Sequence, residues 1–116
     1  MTTTRLRGQQ AEDQACEFLQ AQGLLILQRN YQLRSGEIDI ICKDQTHLIF
    51  VEVRYRRHQQ FGGALGSIDW RKQQRIIRTA QHYLLCHPID LPARFDVITL
   101  DTNTEPQWIQ NAFTAD

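Results

Sequence analysis

The sequence predicts an α/β fold, on three observations. Two segments repeat apolar residues at helical spacing, and several short runs are rich in β-branched and apolar side chains. The two kinds follow one another in the order α, β, β, β, α, β, β. With 116 residues, 41% of them hydrophobic, the chain can build one packed core but not two ordinary ones, so residues 1–116 are expected to form one domain.

The first helix is expected over residues 8–22, where Ala11, Ala15, Phe18 and Leu19 share a face and Gly23 supplies the C-terminal stop. Leu24, Leu25, Ile26 and Leu27 then read as a buried strand, and after Asn30 the chain re-enters extended structure towards the turn signal of Ser35 and Gly36. Residues 37–43 and 47–56 read as a hairpin divided by the polar Asp44, Gln45 and Thr46. A polar loop containing Phe61, Gly62 and Gly63 leads to the second helix, residues 69–86. There Ile76, Ile77, Ala80, Tyr83 and Leu84 form one stripe, with Arg71, Lys72, Arg75 and Arg78 largely off it. Pro88 and Pro92 end this helix; residues 94–100 read as another strand, and Gln107, Trp108 and Ile109 as a short last one.

Apolar runs fall far short of the roughly 18 residues that a membrane span requires, so no transmembrane helix is expected. The opening residues lack the apolar stretch and cleavage site of a signal peptide, and the expected location is the cytoplasm. Cys16, Cys42 and Cys86 are an odd number at wide spacing, which suits reduced thiols serving as small core residues. His82 and Cys86 stand four apart on the second helix, but two ligands do not make a structural metal site.

Formal net charge is zero, yet the charges are segregated. Residues 1–53 hold five basic and seven acidic groups, residues 54–78 seven basic and one acidic, and residues 79–116 one basic and five acidic. The +6 middle segment is either a solvated arginine-rich face or a surface for phosphates.

The hairpin carries the chemistry. Side chains alternate along a strand, so Glu37, Asp39 and Ile41 share one face and Phe50, Glu52 and Arg54 share one face of the partner. If Gln45 and Thr46 form a two-residue turn, Asp44 pairs with His47, and counting back sets Asp39 opposite Glu52 with Cβ atoms about 5 Å apart. Two negative charges at that separation repel by roughly 3 kcal/mol at an effective dielectric of about 20. A shared proton, a neighbouring cation such as Arg54, or a divalent metal would compensate. Because Glu52 interrupts the apolar run Leu48, Ile49, Phe50, Val51 and Val53, where an acid adds nothing to a core, the last two are favoured.

The stretches Gly36-Glu37-Ile38-Asp39-Ile40-Ile41 and Phe50-Val51-Glu52-Val53-Arg54-Tyr55-Arg56 resemble the YraN-type bacterial family, itself related to archaeal Holliday-junction resolvases and the restriction-endonuclease-like PD-(D/E)xK superfamily. The resemblance covers nearly the whole chain, including Glu12 and Ala15, Phe61 and Gly62, Lys72, residues 80–84, residues 94–98, Trp108, Ala112 and Phe113. It implies a restriction-endonuclease-like α/β fold, a central mixed sheet flanked by helices. It further implies a Mg²⁺ or Mn²⁺ ion on Asp39, Glu52 and the Val53 carbonyl, with Glu12 completing the acidic cluster. From helical geometry Glu12 lies about 20° around the helix from Leu19, so it either faces the sheet or is a surface acid near the helix N-terminus.

The implied activity is metal-dependent hydrolysis of phosphodiester bonds in nucleic acid, DNA by the resolvase likeness and branched or flapped DNA in particular, with Arg56, Arg57, Arg71 and Arg75 on phosphates. The resolvase likeness also implies a homodimer. One position departs from the pattern: Arg54 stands where the nuclease motif has lysine. Arginine holds a phosphate but does not serve as a general base. Either no base is needed, or Lys72 supplies the amine, or activity is lost and a nucleic-acid-binding module remains. A third reading is a protein-interaction domain with Trp108 and Phe113 as docking hydrophobes, unless those aromatics cover the core.

Overall fold

A computed structural model describes residues 4–56, 68–101 and 105–115, with side chains described from residue 8 and up to residue 55 in the first stretch. Its elements are α1 (Thr4–Ala21), β1 (Leu25–Leu33), β2 (Gly36–Lys43), β3 (Leu48–Arg56), α2 (Trp70–Cys86), β4 (Ala93–Asp101) and β5 (Gln107–Phe113). They form the predicted α/β arrangement around one five-stranded mixed sheet in the order β1-β2-β3-β4-β5. Among the described strands only β3 and β4 run parallel, with α2 in the connection between them, as a parallel pair requires a crossover.

The helices cover opposite faces of this sheet. On one side Ala11, Ala15 and Leu19 of α1 pack on Ile40, Ile49, Val51 and Ile98. On the other, Ile76, Ile77, Ala80 and Tyr83 of α2 pack on Ile41, Leu48, Phe50 and Val97. The central strands, covered on both faces, read as nearly continuous apolar runs for that reason, and each fully buried Leu, Ile or Phe contributes about 1.5–3 kcal/mol. Helix α1 ends as expected: Gly23 has φ 93°, and the Leu24 N–H returns to the Leu19 carbonyl at 3.1 Å. Helix α2 begins at an N-cap, Asp69, whose carboxylate accepts from the Lys72 N–H at 2.9 Å.

Three expectations change. The segment containing Leu24 to Leu27 is not a buried strand: β1 is continuous through residue 33 and lies at the sheet edge, leaving Leu25 57% and Leu27 37% exposed. Strand β5 runs on to Phe113 because its pairing with β4 continues past a register shift opposite Asp96. Cys16 and Cys42 are buried thiols, with burial pushing Cys42 up to about 12, but Cys86 is exposed at the end of α2 and packs no core. No helix among the described residues is long and apolar enough to cross a membrane. The glycine loop around residues 61–63 lies outside the described residues.

Strand β4 carries a buried acid that is fully answered. The fully buried Asp96 accepts two hydrogen bonds from Arg94, at Nε and Nη2, and one each from Trp108 Nε1 and the Asn111 N–H, all 2.9 Å. Asn111 adopts φ 53° at the β5 irregularity, which turns its N–H to Asp96. Trp108 also meets Phe18 edge-on at 6.2 Å, and Phe113 stacks on Phe95 at 5.1 Å. Both aromatics are half-buried and pack against core residues.

Breaking a buried, hydrogen-bonded ion pair by removing one partner costs about 3–5 kcal/mol. Asp96→Asn, which leaves the Arg94 guanidinium uncompensated, is expected to lower the unfolding free energy by an amount in that range, read as a lower urea midpoint at unchanged slope of the transition. Equal midpoints for variant and wild type would show that the network carries no net stability.

Candidate functional site

The β2–β3 hairpin has the register that the sequence predicts. The Asp44 N–H donates to the His47 carbonyl at 3.1 Å, closing a two-residue turn over Gln45 and Thr46. Asp44 Oδ1 accepts from the Thr46 and His47 N–H groups at 2.8 Å each, which fixes the turn and holds the Asp44 carboxyl below its usual range. Pairing runs from Lys43 with Leu48 to Ile40 with Val51 and stops there, one step before Asp39 and Glu52. Instead of continuing the ladder, the Val53 N–H donates to Asp39 Oδ2 at 2.8 Å.

The ladder stops because β2 changes face. Ile41 and Ile38 belong to the α2 core, but Ile40 belongs to the α1 core, although residues two apart on a regular strand share a face. The neighbouring β1 reverses at the same level: Arg29 reaches Glu12 of α1, whereas Tyr31 packs against Tyr83 of α2 at 5.2 Å between rings. Asn30, between them, has φ 53°. This paired reversal opens a cleft of about 1020 Å³ between the helical layers, lined by Asp39, Glu52, Val53 and Arg54 at its floor, Glu12 and Arg29 on one wall, and Lys72 and Arg75 on the other.

Glu52 is the least comfortable group in the cleft. Its side chain is 4% exposed; Oε2 lies 3.4 Å from Arg54 Nη2 and 3.9 Å from Lys72 Nζ. Its Oε1 is buried and has no hydrogen-bond partner among the described residues, and neither has Arg54 Nε. Burial, then the adjacent Asp39 charge, pushes the Glu52 carboxyl from an ordinary 4.5 to about 8, against the opposing pull of Arg54 and Lys72. Burial also raises Asp39, to about 6, although the Val53 N–H and Arg54 oppose this and Glu12 and Glu37 add to it.

The predicted site residues thus separate into groups. Asp39, Glu52, Val53, Arg54 and Lys72 line one cleft, as does Glu12, which is buried against the sheet side rather than lying on the helix surface. Arg75 lines it too, but Arg71 is exposed on α2 away from the lining. Arg56 ends β3 with its side chain outside the described residues, and Arg57 lies outside them altogether. Among the described residues no three His, Cys, Asp or Glu side chains stand close enough together to hold a metal ion. The direct donor set open to a cation is therefore two carboxylates and the Val53 carbonyl, which projects from the same side of β3 as the N–H bound to Asp39.

Two cleft residues were not found by sequence reasoning. Arg29 Nε and Asn30 Nδ2 both donate to Glu12 Oε1, at 2.8 and 2.9 Å, and Arg29 Nη2 pairs with Asp13 Oδ1. Their one local signal is an asparagine inside a strand, a residue type that tolerates the left-handed region.

A family model described as "Uncharacterised protein family UPF0102" matches residues 11–100. A UPF0102 protein of Nitrosomonas eutropha is 50% identical over 113 residues, covering 97% of each chain. Another from Alcanivorax borkumensis is 49% identical over 112 residues, 91% of this chain and 90% of its own length. One from Dechloromonas aromatica is 48% identical over 114 residues, 98% and 93%.

Because the Glu52 carboxyl is raised in the fold, the folded chain binds more protons than the unfolded one between about pH 4.5 and 8, and this group removes stability as pH rises through that window. Glu52→Gln deletes the group that titrates. In metal-free buffer the variant is expected to melt close to wild type near pH 4.5 and about 5 °C or more above it near pH 8, where a few kcal/mol shifts the transition by that much or more. A melting-point difference that stays constant or shrinks with pH, followed by circular dichroism in EDTA, would refute the assignment.

Proposed function

The chain belongs to the uncharacterised protein family UPF0102, the YraN-type family, and within it we propose a metal-dependent nuclease of restriction-endonuclease-like fold that hydrolyses phosphodiester bonds in DNA. The observation that carries this reading is a matched pair of orphans: a buried acceptor, Glu52 Oε1, two residues from a buried donor, Arg54 Nε. Buried polar groups are nearly always paired, and an exception calls for an explanation such as a catalytic role, an ordered water or a bound ion. An acceptor wanting a cation beside a donor wanting an anion is complementary to a phosphate carried on a divalent metal.

The residues fit Mg²⁺ or Mn²⁺, hard cations that take oxygen ligands. Asp39, Glu52 and the Val53 carbonyl would hold it, and its charge would replace the proton that burial now favours on the pair. When bound it would lower the pKa of a water and stabilise negative charge on the scissile phosphate. Arg54 then serves as a phosphate clamp, always charged and unable to accept a proton. Lys72, with Nζ 3.9 Å from Glu52 Oε2, lines the cleft and would stand in for the motif lysine, taking a proton from the attacking water only in its neutral amine form. Arg75 on the same wall, with Arg71, Arg56 and Arg57, supplies phosphate contacts along the strand. The order of charges along the sequence agrees with this, since the first half of α2, residues 70–78, lies in the basic middle segment.

A second reading is a nucleic-acid-binding module without catalysis, favoured by one observation, the arginine at the motif's lysine position. Incubation with end-labelled four-way junction, flap, duplex and single-stranded DNA in Mg²⁺ or Mn²⁺ separates the two. Wild type is expected to cut a branched substrate, Asp39→Asn and Glu52→Gln to lose cutting, and Lys72→Met to lose roughly 10²–10⁴-fold in rate, the contribution of a positioned acid–base group. Salt-sensitive binding with no more cleavage by wild type than by Asp39→Asn would establish the module instead.

A further inference from the structure

Consecutive side chains on a regular strand point to opposite faces. Arg29 and Asn30 nevertheless donate to the same oxygen, Glu12 Oε1, at 2.8 and 2.9 Å. They can do so because Asn30 sits at φ 53°, where the strand's alternation breaks. A non-glycine residue in that conformation carries a backbone cost, and asparagine carries it most cheaply. The β1–β2 ladder does not require it, since pairing runs past position 30 from Arg29 with Ile40 to Tyr31 with Ile38. Besides turning Tyr31 towards α2, the conformation brings two donors onto one carboxylate oxygen.

We propose that Arg29 and Asn30 are positioning residues for the cleft, fixing Glu12 so that its other oxygen serves as an acceptor for the water shell of a cation held by Asp39 and Glu52. This rests on the metal reading above. Arg29 is itself locked by its second contact, Nη2 to Asp13, so the guanidinium bridges two acids of α1 and cannot swing away from Glu12 without breaking both. Glu12 is buried and lines the same cleft as Asp39 and Glu52. It does not join them in a three-acid group close enough for direct ligation among the described residues. A role through water fits that spacing, because Mg²⁺ retains several waters when bound by only one or two carboxylates. Groups that orient a metal's surroundings from outside typically change affinity by roughly 10–100-fold.

The competing explanation is a staple that only ties α1 to β1. Asn30→Gly distinguishes them, since glycine keeps the left-handed backbone without strain and removes only the amide. Mn²⁺ binding would be measured by calorimetry, beside metal-free melting, for wild type, Asn30→Gly, Glu12→Gln, the double variant and Asp39→Asn. The expected result is about tenfold weaker Mn²⁺ binding in Asn30→Gly and in Glu12→Gln, with metal-free melting within a few degrees of wild type. The double variant should bind no more weakly than Glu12→Gln, because Asn30 acts through that carboxylate. Wild-type affinity in both single variants, with loss only in Asp39→Asn, overturns the inference and leaves the metal reading standing. Lowered melting with unchanged affinity overturns it in favour of the staple, and additive losses in the double variant overturn the route through Glu12. No Mn²⁺ binding by wild type would instead defeat the metal reading, and this inference with it.

Discussion

A carboxylate taken out of water costs several kcal/mol unless a cation, a donor or a proton answers it, and here two stand side by side where sheet pairing ends. Asp39 is answered in part by the Val53 N–H, but Glu52 is 3% exposed and keeps one oxygen unpaired. The surrounding architecture is arranged around that difficulty. Helix α2 brings Lys72 over Glu52, β3 brings Arg54 two residues on, and the simultaneous reversal of β1 and β2 leaves a cleft of ligand size. Gly36 permits the close approach of α2, since a Cβ there would meet Arg75 Cβ and Thr79 Oγ1 at 3.2 Å. That approach sets the basic wall against the acidic floor.

What was legible in the sequence depended on locality. The register of Asp39 and Glu52 followed from a turn only two residues long, closed by Asp44, so counting along two strands sufficed. Helix α2 was legible because its apolar stripe lies within one segment. The exposure of Leu25 and Leu27 was not, because an apolar run is the same whether its strand is central or at an edge, and strand order is a long-range property. The partnership of Arg29 and Asn30 with Glu12 spans 17 and 18 residues and depends on one left-handed dihedral. Nothing in periodicity encodes it. Arg94, Asp96 and Trp108 were read as strand residues, and their shared network became visible only when β4 and β5 paired.

Arg54 alters the division of labour in the cleft rather than merely weakening it. A lysine at this position would offer a titratable amine but a single point of charge; the guanidinium offers a planar fork suited to phosphate oxygens and a charge that burial does not remove. Its Nη2 is near Glu52, while its buried Nε has no partner among the described residues. Proton transfer and phosphate binding would then fall to different elements, α2 through Lys72 and β3 through Arg54. On the proposed reading a neutral chain would engage a polyanion through basic groups that act at short range inside a walled cleft, where screening by salt is weaker than on an open surface.

The sheet holds a second buried acid, and comparing the two is informative. Asp96 is fully buried and receives four hydrogen bonds, two from the guanidinium of Arg94. The same small domain-sized sheet can therefore satisfy a buried carboxylate completely when only structure is at stake, and it spends an irregular strand and a left-handed Asn111 to do so. At Asp39 and Glu52 it uses an equivalent irregularity, at Asn30, but directs the donors to Glu12 instead and leaves Glu52 Oε1 without one. Local rules are broken without compensation chiefly where a site needs them broken. The contrast between a saturated acid and a starved one, within one sheet, is a stronger indication of a ligand than either cleft shape or charge count alone.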